Sequence, residues 1–493
     1  MFARQGVQQW KSIMDKPQLS LLKTGPLAVS APLDPGFRPM ILGLNNMRAA
    51  VRDLPGRQNV IITLERNGGM INRYELQTPP PGTFNNADVV RLIERVVKFL
   101  LWAWGGWKLT LSGPAAYCEP ILTAYRSGGT RGFDADFMTR SYQRVFSASM
   151  VPAPDAPKSR ESGLLLGGHL DGCRIGFDLG ASDYKLAAVK NGELVFSAEI
   201  PWDPKNQPDP QYHYKLINQG LKTAAAHLPR VDAIGGSSAG VIIDNQIMAA
   251  SLFRSVPQAE YDRSVRPMFL QLQKQWNVPL EVLNDGDVTA LAGAMSLGRH
   301  GMLGVAMGSS EAAGFQDRRG YLTGRLTELA FAPVDLNPAA TADEWSGDIG
   351  VGALYFSQQA VNKLAPAAGI SFPENMGLPE RLKEVQKRME KEDPAARKIY
   401  ETIGVYLGYT IPLYREFYEY DNLLTLGRVT SGAGGDIIIA RAREVLDKAF
   451  PELKDRVSLV VPDERSRRVG QAFAAASLPP ISQQNGNSKN TKS

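Results

Sequence analysis

Cysteine and histidine are scarce in this chain. Its 493 residues hold two cysteines, Cys118 and Cys173, and four histidines. Neither cysteine belongs to a CxxC pair or a metal-spaced cluster, which argues against a disulfide framework and a cysteine zinc site. Four histidines leave little room for a histidine-built metal centre. Long apolar runs are also missing. The most hydrophobic stretch, Val96 to Trp107, is interrupted by Lys98 and is too short to span a bilayer. The first residues, MFARQGVQQWKSIMDK, contain no apolar core of signal-peptide length. Charge of one sign is not concentrated: a net charge of +5 over this length is too weak to argue for nucleic acid or a membrane surface. What remains is a soluble globular composition, 43% hydrophobic and 21% charged, long enough for two to four domains. A reducing, cytoplasmic setting fits.

The stretch Ile175 to Phe196, IGFDLGASDYKLAAVKNGELVF, reads as strands joined by tight turns. Asp178 follows the apolar Ile175 and Phe177, and Gly180, Ala181 and Ser182 form a small-residue bend. Asn191-Gly192 is a hairpin signal because both residues tolerate positive φ. Small residues let backbone N–H groups approach a phosphate, and a nearby carboxylate can hold Mg²⁺ through water. On these residues alone, an ordinary hairpin with a buried aspartate reads as well.

Residues 1 to about 55 alternate Pro, Gly and short apolar pieces and show no clear helix-turn-helix pattern. From Asn59 a strand (Val60 to Leu64), the turn Asn67-Gly68-Gly69, a second strand (Met70 to Leu76), the link TPPPG, a helix ending near Trp104 and a strand to Leu111 are expected. The same order returns from Tyr184 to Gly240. Residues 59–114 therefore read as a degenerate copy of 184–240, with a common hairpin-helix-strand arrangement as the alternative. The copy lacks a counterpart of Asp178 and its bend, so no nucleotide is expected there. VPAPDAPKSRESG, from Val151, reads as a linker.

Beyond it, Pro279 to Leu283 is a strand running into Asn284-Asp285, and Val288 to Leu297 is a small-residue helix. Leu303 to Met307 is a strand before the turn GSSEAAG. Residues 335–375 read as an irregular insertion. Two helices follow, Pro379 to Glu390 and Ala395 to Tyr418. After a strand near Leu423, SGAGGD opens another helix, and a last helix runs from Glu464 to Ala476. The tail SQQNGNSKNTKS is polar and reads as disordered.

Four signals stand in order: the Asp178 bend, Asn284-Asp285 at a strand end, the turn Gly308 to Gly314, and Gly432 to Gly435 at a helix start. Strand ends and helix N-termini are where α/β folds bind anions. An aspartate between two phosphate-type turns could take a proton from a hydroxyl attacking a γ-phosphate.

That order, in IGFDLGASDYKLA, GGSSAGVIIDNQI, VLNDGDVTALAGA, VAMGSSEAAGF, GRLTELAFAPV and TSGAGGDII, resembles the ROK family of sugar kinases and sugar-responsive repressors, part of the actin, Hsp70 and sugar kinase superfamily. The resemblance covers about residues 172–481. It implies an α/β fold of two RNase H-like, actin-like ATPase lobes around a cleft: 172–283 with 464–481 returning to it, and 284–463. Residues 1–150 would be an added α+β region, 151–171 a linker and 482–493 a tail.

The resemblance also implies a cytoplasmic, ATP- and Mg²⁺-dependent kinase acting on a small-molecule sugar. No nucleic acid or membrane partner is implied, and there is room for a homodimer. Asp285 would be the general base, Asn284 a sugar-hydroxyl ligand, and Glu328 a ligand to two hydroxyls. Ser238 and Gly240 would lie beside the sugar. Asp178 would hold Mg²⁺. Gly180, Ala181, Ser182, Lys185, Gly308 and Ser309 would line the phosphates, and Gly434 and Gly435 the adenosine.

The sequence departs from the family in three places. Phe331 stands where many members carry a zinc-binding histidine, and no cysteine follows, so no zinc is expected. Glu311, Ala312 and Ala313 occupy the second phosphate turn, and Asp183 ends the first. A carboxylate about 4 Å from a phosphate charge costs roughly 4 kcal/mol at an effective dielectric near 20. Those two acids favour an alternative, a catalytically altered sugar-binding regulator or scaffold.

Overall fold

The computed structural model describes residues 21–23, 25–161, 166–461 and 464–481. The tail 482–493, with its expected disorder, and part of the expected linker lie outside them. Among the described residues no helix is long and apolar enough to cross a membrane.

The N-terminal region begins with α1 (Met40–Val51). Strands β1 (Gln58–Glu65) and β2 (Ile71–Thr78) form the expected hairpin, followed by α2 (Asn86–Trp104) and β3 (Lys108–Ser112). Helices α3 (Ala115–Tyr125) and α4 (Gly132–Tyr142) then lead to β4 (Ser147–Met150). The sheet order is β2-β1-β3-β4. Asn85 caps α2 by accepting from the Ala87 N–H.

The first lobe carries β5 (Cys173–Leu179), β6 (Asp183–Lys190), β7 (Glu193–Pro201), α5 (Pro210–Ala225), β8 (Ala233–Ser238) and the short hairpin β9 (Val241–Ile243) and β10 (Gln246–Ala249). After α6 (Met268–Trp276), β11 (Leu280–Asn284) completes a sheet in the order β11-β8-β5-β6-β7. Strands β5, β6 and β7 are an antiparallel meander; β8 and β11 join in parallel. Asn191 and Gly192 turn β6 into β7 with φ of 49° and 83°, as their side chains allow.

Helix α7 (Asp285–Leu297) leads into the second lobe, where β12 (Met302–Met307) and β13 (Glu311–Gln316) form a hairpin. β14 (Asn422–Leu426) and β15 (Ser458–Val460) extend it in parallel, in the order β13-β12-β14-β15. The turn is Gly308–Ser310 only: Glu311 is already in β13, paired with Met307, not in a seven-residue loop. The insertion expected at 335–375 contains one α-helix, α8 (Gln358–Leu364), after a 3-10 turn at Gly352–Leu354. Helices α9 (Leu378–Glu390), α10 (Pro394–Phe417) and α11 (Ala433–Ala449) pack on one another, and α10 and α11 share a core with β12 and β14. The final helix α12 (Glu464–Ala476) returns to the first lobe. A Cβ at Gly176 or Gly235 would fall 1.8 Å from Ala472 O or 1.6 Å from Ala475 O, so those glycines let α12 lie directly on β5 and β8.

In the expected repeat, β1, β2 and β3 correspond to β6, β7 and β8. Yet β3 pairs antiparallel with β1, whereas β8 pairs parallel with β5. The element order is shared and the pairing is not.

The N-terminal region is not a separate body. Its Met40, Leu44, Phe99 and Trp102 share one continuous core with Tyr406, Tyr409 and Tyr414 of α10. Phe331 is part of that contact, its ring centroid 4.5 Å from that of Trp102. Beside this core lies a buried ionic network. Asp348 receives Arg95 at 2.8 Å, Lys98 at 2.8 Å and Arg131 at 2.9 Å; Glu94 and Asp134 balance the charge. Each cation comes from the N-terminal region and Asp348 from the second lobe, so the network joins the two.

Candidate active site

Asp178 occupies β5 in register with Lys185 on β6 and Ser237 on β8. Cross-strand register makes those its partners. Ser237 Oγ donates to Oδ1 at 2.7 Å, and Lys185 Nζ lies 3.9 Å from Oδ2. Burial pushes the Asp178 carboxyl above its usual range despite both. Lys185 also reaches Asp183 at 3.1 Å, and Ser182 Oγ donates to Asp183 at 2.9 Å. Partial burial would raise Asp183, but these partners hold it below the ordinary carboxylate value. The Asp183 charge is thus compensated within its own turn. That turn is tied down: Gly180 N–H donates to Asp183 O at 3.0 Å, and Trp202 Nε1 donates to Gly180 O at 2.8 Å. Ala181 and Ser182 are exposed at its tip.

Asn284 is the N-cap of α7. Its Oδ1 accepts from the Gly286 N–H at 2.7 Å and its Nδ2 donates to Gly240 O at 2.7 Å. The side-chain amide therefore joins the helix start to the small-residue turn after β8. Gly240 has φ of 116°, and a Cβ there would meet Ala249 O at 2.3 Å. Ser238 is buried next to it.

Asp285 and Asp287 lie in the first turn of α7, where the helix dipole favours negative charge. Burial outweighs that benefit. With Asp178 nearby, it pushes Asp285 up to about 6. Asp287 accepts from the Phe315 N–H at 3.1 Å, yet burial and then Asp285 hold it at about 7.

Glu328 rises to about 7 through burial, then Asp285 and Asp287. Its segment is mounted on the end of α2. The N–H groups of Leu326, Thr327 and Glu328 donate to the carbonyls of Trp104, Ala103 and Trp102 at 3.3, 3.0 and 3.0 Å. These are carbonyls a helix C-terminus leaves without intrahelical partners. Thr327 takes φ of 51°, costly for a β-branched residue, to make the alignment.

Glu311 is 3% exposed and turned into the core. Its Oε1 accepts from Tyr414 Oη at 2.9 Å, and burial, with Glu328 nearby, pushes it up to about 8. Burial thus favours its protonated form. Gly308 and Ser309 sit in the short turn, with Ser309 exposed; Gly308 O accepts from the Gln358 N–H at 3.0 Å. Gly434 and Gly435 are buried in the first turn of α11. A Cβ on either would strike the Tyr400 ring at 2.4 Å or Thr430 O at 2.0 Å. Gly432, with φ of 69° and open space around it, is the exposed glycine of that loop.

Asn284, Asp287 and Glu328 line a cavity of about 260 Å³. Its other wall is N-terminal: Arg66 and Asn67 from the β1–β2 turn, and Tyr142 from the end of α4. The sequence reading missed those three residues and Asp287. Asp287 stood in the Asn-Asp segment, one helical residue past Gly286. Nothing local marks Arg66, because its partners lie across the fold. Among the described residues no group of three or more His, Cys, Asp and Glu side chains is placed to hold a metal ion.

No protein-family model and no curated protein matches the chain in sequence. Solved structures do match in shape. A ROK family transcriptional regulator, a homologue of the E. coli MLC protein, superposes with a TM-score of 0.50 at 18% identity, over 63% of this chain and 79% of that one. A ROK hexokinase from Thermus thermophilus gives 0.48 at 16% identity, over 62% and 98%. A ROK family glucokinase from Streptomyces griseus, solved with glucose and AMPPNP, gives 0.46 at 17% identity, over 62% and 98%. In its two-lobed α/β body, the chain has the fold of the ROK family, in a divergent form.

Proposed function

We propose that this chain phosphorylates a hydroxyl of a small sugar-like substrate, as an ATP- and Mg²⁺-dependent kinase of the ROK type. The observation that carries the reading is Asp285. It stands at a strand-to-helix junction beside Asp178, with a carboxyl near 6, a value suited to a general base at neutral pH. Asp287 and Glu328 then orient hydroxyls in the adjoining cavity, and Asp285 accepts the proton of the attacking hydroxyl. Asp178 is the residue that would hold Mg²⁺. One buried carboxylate fits an ion held mainly by water and phosphate oxygens, and Ser237 fixes its orientation. Gly180, Ser182, Gly308 and Ser309 would line the phosphates. When bound, Mg·ATP supplies the phosphoryl group and neutralises its charge. The acids at both turns do not oppose this: Asp183 is paired with Lys185, and Glu311 is buried against Tyr414.

One observation favours a second reading, a non-catalytic ligand-binding regulator. Both ends of the Asn284 amide are engaged within the protein, which leaves it less free to bind a sugar hydroxyl. The test is a thermal-shift screen of sugars on the full chain, with and without Mg·ATP, paired with an assay of ADP release. Stabilisation by a sugar with ADP release supports the kinase. Stabilisation without any ADP release supports the regulator.

A further inference from the structure

The cavity lined by Asn284, Asp287 and Glu328 has two chemically different walls. On the lobe side stand Asp287 and Glu328, both pushed to about 7 by burial and by neighbouring acids. On the N-terminal side stands Arg66, 6% exposed, at the start of the β1–β2 turn. Its Nη1 donates to Thr323 O at 3.3 Å and to Gly324 O. Its only ion-pair partner among the described residues is Glu161, at 3.5 Å. Glu161 is held more closely by Arg325, through both oxygens at 3.0 and 3.2 Å. Two guanidiniums thus share one carboxylate, and Arg66 has the weaker share.

Arg66 Nε is buried with no hydrogen-bond partner, and so is the neighbouring Asn67 Oδ1. Both atoms are closed off from the cavity, so what this wall offers a ligand is the Arg66 charge, which Glu161 compensates only in part. The wall is preformed: Arg66 N–H donates to Met70 O at 2.8 Å, and Gly68 and Gly69 make the turn with φ of 68° and 70°.

We propose that the cavity takes a sugar bearing an acidic group, a carboxylate or a phosphate. Arg66 receives the acidic group from the N-terminal wall while Asp287 and Glu328 face the hydroxyls. The proposal rests on the kinase reading for the location of the site and names its substrate class. It gives the N-terminal region a role in specificity. A neutral hexose would fill the same space but leave Arg66 with only its share of Glu161. The cavity lining holds a second guanidinium, Arg325, beside Arg66, and a third acid, Asp244, beside Asp287 and Glu328, so the acidic group must sit at the two arginines, away from those acids.

The test is calorimetric titration of the full chain, without nucleotide, using glucose, glucuronate and glucose 6-phosphate. At least one acidic probe should bind about tenfold or more tighter than glucose, the gain of one charge-assisted hydrogen bond. Comparing the two acids distinguishes carboxylate from phosphate. Arg66→Gln should abolish the preference, lowering affinity for the acidic probe by about tenfold or more relative to glucose. Asn67→Asp, which places a carboxylate beside Arg66 at unchanged size, should also abolish it and covers the case in which the first variant does not fold. Equal or tighter binding of glucose, no binding of either acid, or uniform weakening of all three probes by both variants would overturn the proposal. ADP release, measured separately, keeps the two readings apart. Acid binding without transfer defeats the kinase reading alone, and transfer to glucose with no acid preference defeats this one alone.

Discussion

The backbone N–H of Glu328 donates to the carbonyl of Trp102 at 3.0 Å. A candidate site residue of the second lobe is therefore positioned by the last turn of a helix from the N-terminal region. Leu326 and Thr327 make the adjoining bonds, and Phe331 packs on the Trp102 ring from the other side. Phe331 fills, with an aromatic contact, the position at which the family resemblance would put a zinc-binding histidine. The N-terminal region thus builds the site as well as flanking it.

The ionic network at Asp348 should report how firmly that region is held. Asp348→Ala leaves Arg95, Lys98 and Arg131 with an excess of buried positive charge, since only Glu94 and Asp134 remain to balance them. Removing one partner from a buried network costs about 3–5 kcal/mol. Glu75→Ala, which breaks the exposed pair with Arg73, should cost no more than about 1 kcal/mol. Urea unfolding of the two variants should separate them clearly. Equal midpoints would mean that the network does not hold the region in place.

Glu311 gives a pH prediction with a definite sign. Its carboxyl is raised to about 8 in the folded chain, against about 4.3 when unfolded. A group raised on folding favours the folded state while it is protonated. Its contribution is complete below the unfolded value and is lost as pH rises through about 8. Wild-type melting temperature should therefore fall between pH 6 and 9. Glu311→Gln, which cannot ionise, should fall less, by at least about 2 °C over that range. Parallel curves would rule out a protonated Glu311. Glu311→Gly should lower stability at every pH by stranding the Tyr414 hydroxyl, and should leave ATP affinity unchanged.

Gly435 separates packing from ligand contact. A Cβ there lands 2.0 Å from Thr430 O, a backbone atom that cannot turn aside. Gly435→Ala should destabilise the fold by about 1–3 kcal/mol with or without nucleotide. If nucleotide affinity of the folded protein fell more than tenfold while unfolding was unaffected, Gly435 would be a contact residue instead.

Local chemistry was readable in the sequence, and long-range pairing was not. Asn191-Gly192 announced its turn because positive φ is a property of those residues. Asn284-Asp285 was readable as the end of a strand, but that Asn284 caps a helix starting at Asp285 and not at Val288 was not read. The direction of Glu311 was hidden, because it depends on turn length. With the turn ending at Ser310, the strand period points Glu311 toward Tyr414. Had the turn run through Gly314, it would have faced outward with the loop. The pairing of β3 with β1 and the place of Arg66 opposite Asp287 depend on partners distant in the chain. No local propensity encodes either.

Asp285 decides the catalytic reading. Asp285→Asn keeps size and hydrogen-bonding reach but removes the base, so phosphoryl transfer should fall at least about a hundredfold. Ligand affinity should persist, because Asp287 and Glu328 remain in the cavity wall. The pH profile carries a second signature. A base with a value near 6 is protonated below it, so wild-type rate should fall about tenfold per unit below that point. A wild-type chain that phosphorylates no sugar, neutral or acidic, would remove the kinase reading. An Asp285→Asn variant keeping more than a tenth of the wild-type rate would remove Asp285 as its base.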